Sequence, residues 1–230
     1  MTLPVIDSSL KVRIRGALIF GVVVLGALYL GGTAFILLMI AAAVIGIYEW
    51  YKMVITDKQY RVPLMIFGIC YIGLSTGMMA WLRVNSGYGL YNMLTLLLIV
   101  WASDISAYFS GRAIGGPKLA PKISPKKTWA GFIGSSVGAG IVAAGLACPV
   151  LLAKFSIATV GHMPPVEYFV LGFVLAMFGQ AGDLFISIFK RRYGVKDTGT
   201  IIPGHGGVLD RIDALLLVAL VFGVIVMFFR

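Results

Sequence analysis

The sequence predicts an all-α fold: a polytopic transmembrane helical bundle of about seven spans, with a polar cleft facing the cytoplasm. Three observations predict it. Of 230 residues, 60% are hydrophobic and 12% charged, with a mean hydropathy of +0.97, far above the range of soluble domains. Apolar runs of about 20 residues, enough to cross about 30 Å of hydrocarbon, recur along almost the whole chain. Lipid offers the backbone no hydrogen bonds, so such runs must be helices. Finally, Lys and Arg are distributed unevenly between alternate loops, as the positive-inside rule requires.

The expected spans are about 16–32, 33–50, 63–82, 91–111, 131–153, 167–189 and 214–230. Lys11, Arg13 and Arg15 lead into the first run. A secretory signal begins similarly, but this run is long and a second follows at once, which points to an uncleaved anchor. Gly31-Gly32-Thr33 is all that joins the first two spans and suits a tight helical hairpin. The second and last spans are near the minimum length. Residues 1–230 leave no room for a soluble second domain and read as one integral membrane domain, with 1–90 as N-terminal helices and 91–230 as the half carrying motifs. Cys70 and Cys148 fall in separate spans without pairing or metal spacing and read as packing residues.

With the N-terminus inside, sixteen of the nineteen Lys and Arg residues lie in the cytoplasm, leaving Arg83, Lys154 and Arg230 outside. A different span count would scramble this alternation. The net charge of +10 thus sets topology and meets anionic lipid headgroups. Lys52, Lys58 and Arg61 need no further role, and no nucleic-acid partner is expected.

Two cytoplasmic loops carry more. Loop 112–130, RAIGGPKLAPKISPKKTWA, is basic and punctuated by Gly115, Gly116, Pro117, Pro121 and Pro125, so turns shape it. Glycine-rich turns with nearby ammonium groups cradle phosphate oxygens, although the Walker A spacing is absent. Loop 190–213, KRRYGVKDTGTIIPGHGGVLDRID, mixes both charge signs. Asp197, Asp210 and Asp213 have no topogenic task there. Carboxylates among phosphate-binding cations suggest a Mg²⁺ site acting on a phosphoanhydride.

Asp104 and Asp183 lie within apolar spans, where a charge needs a partner or a task. Helical spacing puts Asp183, Ser187, Lys190 and Arg191 on one stripe, and Asp104, Tyr108 and Arg112 on another. Each runs from a buried acid to a cytoplasmic cation, so the two would line one cleft. Asp210 and Asp213 share a face where the last span starts. Plainer roles compete: an acid tied to a cation only to hold helices together for Asp104 and Asp183, a helix-dipole partner for Asp213, and loop packing for His205. A lone histidine is a poor zinc ligand, and His162 falls on the outside.

The run Ser187-x-x-Lys190-Arg191-x₄-Lys196-Asp197-x-Gly199-x-x-Ile202-Pro203-x-His205-Gly206-Gly207-Val208-x-Asp210-Arg211-Ile212-Asp213 resembles the signature of the phosphatidate cytidylyltransferase family. Asp104-x-x-Ala107-Tyr108-x-x-Gly111-Arg112, followed by Ile123-Ser124-Pro125-Lys126-Lys127-Thr128-Trp129, is also similar to that family. Together they cover the C-terminal half, while residues 1–90 match nothing beyond hydrophobicity. The resemblance implies that CTP and phosphatidic acid give CDP-diacylglycerol and pyrophosphate, with Mg²⁺, in a membrane-embedded homodimer of the plasma (inner) membrane. It places metal on Asp183 and Asp210. Asp213, Asp104 and Lys196 join the catalytic set. Lys126, Lys127, Lys190, Arg191, Lys196 and Arg211 are expected to meet substrate phosphates, and Ser124, Thr128, Ser187 and His205 to supply hydrogen bonds. Two features depart from the family pattern: Ala130 stands where a glutamate usually follows Trp129, and the chain is short at its N-terminal end. A CTP-dependent polyprenol-type lipid kinase and a transporter are the alternatives. The long match disfavours the first; one-sided polar clusters without an inverted repeat disfavour the second.

Overall fold

The computed structural model describes residues 8–84, 88–146, 164–202, 204 and 206–228, with side chains from Arg15 onward. Pro203, His205, His162, Cys148, Lys154 and Arg230 lie outside them. Among the described residues, seven helices run in sequence: α1 (Ser8–Leu30), α2 (Gly32–Val54), α3 (Arg61–Val84), α4 (Gly89–Ala113), α5 (Trp129–Leu146), α6 (Pro165–Arg192) and α7 (Leu209–Phe228). Six of them, α2 to α7, are long and apolar enough to cross a membrane. The apolar stretch of α1, Arg15–Leu30, is shorter.

Helices outrun the expected spans where polar residues continue the turn. Thus α6 carries Lys190, Arg191 and Arg192 in its last turn, and α7 takes in both Asp210 and Asp213. The loop after α4 corrects the expectation of turns alone. Between its glycines and α5 it forms a two-stranded antiparallel hairpin, β1 (Lys118–Ala120) and β2 (Ser124–Thr128), paired Lys118 to Thr128 and Ala120 to Ser124. Thr128 then opens α5 as its cap, its Oγ1 accepting a hydrogen bond from Gly131 N at 3.0 Å, which satisfies an otherwise unpartnered amide of the first turn.

The antiparallel helices create two ends with different chemistry. At one, Gly31 adopts φ 62° to turn α1 into α2, and the Arg83 guanidinium at the end of α3 donates to the carbonyls of Leu28 and Tyr29 at 2.9 and 3.4 Å. Those carbonyls belong to the last turn of α1 and lack partners within the helix. At the other end gather the end of α2, the α2–α3 link, the hairpin, the end of α6 and the start of α7. Here Arg192 and the Tyr193 hydroxyl both donate to Asp57 Oδ2, at 3.1 and 2.8 Å. This contact fastens the α2–α3 link to α6.

Two kinds of packing hold the bundle. Around α5, whose sequence WAGFIGSSVGAGIVAAGL is rich in small residues, backbones approach closely. A Cβ built on Gly131 would sit 3.0 Å from Ala107 O of α4, and one on Gly172 of α6 would sit 2.6 Å from Ala139 O of α5. On the other flank, Trp50 of α2, Phe67 and Tyr71 of α3, and Phe185 and Phe189 of α6 form an aromatic cluster. Trp50 is fully buried, and its Nε1 donates to Leu64 O at 2.9 Å, so the one polar atom of the indole is satisfied.

Candidate active site at the polar end

A cavity of about 360 Å³ opens at the polar end between α4, the hairpin, α5 and α6. Asp104, Tyr108 and Arg112, spaced four apart on α4, all line it. The stripe read from the sequence is therefore real, and Arg112 Nη1 donates to the Tyr108 hydroxyl at 2.7 Å. Lys126, Lys127 and Thr128 of β2 form the opposite wall, with Gln180 and Asp183 of α6 beside them.

Lys127 and Asp183 are the centre of this wall. The Lys127 ammonium lies 2.7 Å from Asp183 Oδ2 and donates to Gln180 Oε1, also at 2.7 Å. Ser187, one turn along α6, donates to Asp183 Oδ1 at 3.2 Å. Gln180 in turn donates to Ser103 Oγ of α4 at 3.4 Å. The carboxylate of α6 and the cation of the hairpin thus hold each other in fixed orientation, and both retain some exposure to the cavity.

A second acid–base group lies where α6 meets α7. Lys190 Nζ is 2.9 Å from Asp210 Oδ1 and 3.9 Å from Asp213 Oδ2, with all three side chains largely buried. Asp210 Oδ2 accepts hydrogen bonds from the backbone N–H of Thr198 at 2.8 Å and of Gly207 at 3.0 Å. Gly206 holds φ 85° beneath it, and a Cβ there would stand 3.0 Å from the same oxygen. Glycine at this position therefore answers both a backbone and a space requirement. Asp213 has Asp183 and Asp210 among its electrostatic neighbours, and Asp104 has Asp183, Lys127 and Arg211. The two groups are parts of one charged assembly.

The remaining expected residues divide. Lys196 and Arg211 are exposed. Arg191 turns away from the Asp183 stripe, donating through Nε to Ile123 O at 3.0 Å and through Nη1 to Val195 O at 3.2 Å, so it braces the hairpin and the loop. Ser124 serves as a strand residue of β2. His205 lies outside the described residues. Lys190, expected to meet a substrate phosphate, is 7% exposed and stands beside two acids, Asp210 and Asp213.

The sequence reading missed three contributors. Gln180 is a polar residue within an apolar helix, a signal of the same kind as Asp183. Asp57 lies in the short link just after α2, which ends at Val54. Glu49 is an acid in the last turns of α2, 1% exposed, and its carboxylate accepts from Val208 N, Leu209 N and Thr198 Oγ1 at 3.0, 2.8 and 3.1 Å.

Asp183, Asp210 and Asp213 offer the hard oxygen donors that Mg²⁺ takes. Among the described residues no three His, Cys, Asp or Glu side chains form a metal cage. Mg²⁺ seldom needs one, because it keeps several waters and is held by one or two carboxylates together with substrate phosphates. The donor set fits.

Residues 55–229 match the model of the cytidylyltransferase family. Over an alignment 256 positions long, gaps included, the chain is 34% identical to a phosphatidate cytidylyltransferase of Brucella abortus biovar 1 (strain 9-941), covering 92% of this chain and 91% of that one. The chain belongs to the phosphatidate cytidylyltransferase family. Within this family it is also 40% identical over 187 residues to a Rickettsia bellii (strain RML369-C) member, covering 80% of this chain and 77% of that one. A Rickettsia prowazekii (strain Madrid E) member is 38% identical over 190 residues, covering 83% and 80%. The family match starts well before residue 90, so the resemblance takes in α3 as well as the C-terminal half.

Proposed function

We propose that this chain is a phosphatidate cytidylyltransferase, transferring CMP from CTP to phosphatidic acid and releasing pyrophosphate. The observation that carries the reading is the pairing of two acids with lysines at the polar end, Asp183 with Lys127 and Asp210 with Lys190, beside a cavity of about 360 Å³. Anionic substrates and a divalent cation can compete for such partners, the phosphates taking the lysines and the cation the carboxylates. Family membership supports the same chemistry.

In the reaction, one oxygen of the lipid phosphate bonds to the α-phosphorus of CTP. The bond from that phosphorus to the bridging oxygen breaks, and pyrophosphate departs with the electron pair. A phosphate monoester dianion is already nucleophilic, so no activated Ser, Cys or His is needed and no covalent enzyme intermediate forms. Positioning and charge neutralisation do the catalysis. Lys126, Lys127 and Arg112 bind phosphate oxygens within the cavity, with Lys190, Lys196 and Arg211 on the α6–α7 side. Thr128 and Gln180 orient the cavity wall. Asp183 and Asp210 are the residues that would hold Mg²⁺, with Asp213 and Asp104 as neighbouring acids; bound there, the cation neutralises triphosphate charge.

The same reading places the polar end in the cytoplasm and the protein in the plasma (inner) membrane, supported by the sixteen-to-three distribution of basic residues that this orientation gives. Assembly as a homodimer carries over from the family resemblance and is checked by cross-linking in native membranes. The test of function is label position. Purified protein in lipid vesicles with phosphatidic acid, Mg²⁺ and CTP labelled at the α-phosphorus is expected to yield labelled CDP-diacylglycerol. Label entering lipid only from γ-labelled CTP would make the chain a kinase, and nucleotide-independent flux of a solute would make it a transporter.

A further inference from the structure

We propose that Glu49, in the N-terminal half where no motif points, is a positioning residue for CMP transfer that acts through Thr198 and the first turn of α7 on Asp210. The proposal rests on the transferase reading above. An acid only 1% exposed in an otherwise apolar helix is costly unless its oxygens are matched. Glu49 is fully matched, and its partners all belong to one segment. Oε1 accepts from Val208 N at 3.0 Å; Oε2 accepts from Leu209 N at 2.8 Å and Thr198 Oγ1 at 3.1 Å. Two of these donors are amides at the start of α7, where an anion also meets the positive end of the helix dipole.

Thr198 makes the connection to the site. Its hydroxyl goes to Glu49 while its own N–H goes to Asp210 Oδ2 at 2.8 Å. Gly207, whose N–H also goes to Asp210 Oδ2 at 3.0 Å, abuts Glu49 so closely that a Cβ would come within 2.6 Å of Oε2. The amides that aim the Asp210 carboxylate are therefore held by residues pressed against Glu49. A cap that served only to stabilise α7 would need the amides of Val208 and Leu209 but not Thr198. The shared threonine is what ties Glu49 to the orientation of Asp210, and through it to Lys190.

Glu49→Gln keeps the shape but turns an amide NH₂ toward donors, and Thr198→Val removes one hydroxyl while leaving Glu49 and its two backbone partners in place. Both variants are compared with wild type and Thr198→Ser in vesicles, per folded molecule. The expected result for both is a kcat lowered by roughly 10–100-fold. KM for phosphatidic acid stays within about twofold, as expected when an interaction specific to the transition state is lost. Thr198→Ser keeps near-wild-type kcat. Hydrogen exchange at Val208 and Leu209 is expected to accelerate in Glu49→Gln. Should Glu49→Gln fail to fold, Thr198→Val decides alone. Wild-type kcat in Thr198→Val, or an unchanged kcat per folded molecule in Glu49→Gln, overturns the proposal. Wild-type protein that makes no cytidylated lipid overturns the transferase reading itself, a separate result.

Discussion

Replacing Lys190 with methionine keeps the length and most of the volume of the side chain but strips Asp210 of its counter-ion. At an effective dielectric of about 20, unit charges attract by roughly 6 kcal/mol at the 2.9 Å separation from Asp210. Desolvation has already consumed much of that gain. What the variant exposes is the cost of leaving the Asp210 carboxylate, only 4% exposed, without a cation, about 3–5 kcal/mol for a broken buried pair. Equilibrium unfolding in mixed detergent micelles is the assay, with Lys190→Met/Asp210→Asn as its control. The double variant is expected to recover roughly 2 kcal/mol or more of the loss, because neighbours in one charge network are not additive. A single variant within about 0.5 kcal/mol of wild type, the range of an ordinary surface change, would refute the assignment of Lys190 as a buried counter-ion.

Three further outcomes follow from other parts of the molecule. Lys127→Ala should raise KM for CTP or phosphatidic acid by about tenfold, the scale of one charge-assisted hydrogen bond, without misfolding; an unchanged kinetic profile would return Lys127 to a topology-setting role. Gly172→Ala drives a Cβ to 2.6 Å from both Ala139 O and Ala143 Cβ. It should cost about 1–3 kcal/mol in unfolding while activity per folded molecule is kept, and a loss below about 0.5 kcal/mol would mean that α5 and α6 yield there. At Asp57, the Tyr60 N–H bond, then the Tyr193 hydroxyl and the Arg192 charge hold the carboxyl below its ordinary 3.8. Burial, then Asp57, pushes Tyr193 above its ordinary 10.0. A lowered acid contributes stability above its unfolded pKa and loses it as pH falls through the folded one, and a raised phenol loses its share as pH rises past its folded value. The stability difference between wild type and Asp57→Asn should therefore be flat from about pH 5 to 9, begin to shrink as pH falls below about 3.8, and vanish only below the still lower folded value. A difference that grew on acidification would contradict this.

Much of the molecule was legible because the bilayer imposes strong patterns. Apolar length located the helices, and a four-residue spacing placed Asp104, Tyr108 and Arg112 on one wall. The i, i+3 pair Asp210 and Asp213 does share a face, and both approach Lys190. What escaped had physical reasons. Hairpin β1–β2 spans only eight paired-strand residues among prolines and glycines, too short for an alternating pattern to register. Helical position alone put Arg191 on the Asp183 stripe, yet its long side chain reaches backbone carbonyls of Ile123 and Val195 instead. Glu49 was hidden because its partners lie about 150 residues away, at separations of 149 to 160 positions, and backbone amides carry no sequence signature.

The central claim is that the acids and lysines gathered at the polar end carry CMP from CTP to a lipid phosphate. Its most direct measurement compares wild-type protein with Asp210→Asn, equally inserted in vesicles, for transfer of α-labelled phosphorus into CDP-diacylglycerol. The expected result is Mg²⁺-dependent labelling by wild type and a rate lower by about 10²-fold or more in the variant, the scale for losing an electrostatic group of a reaction centre. Equal rates in the two proteins, or label that never leaves the aqueous phase with wild type, would contradict it.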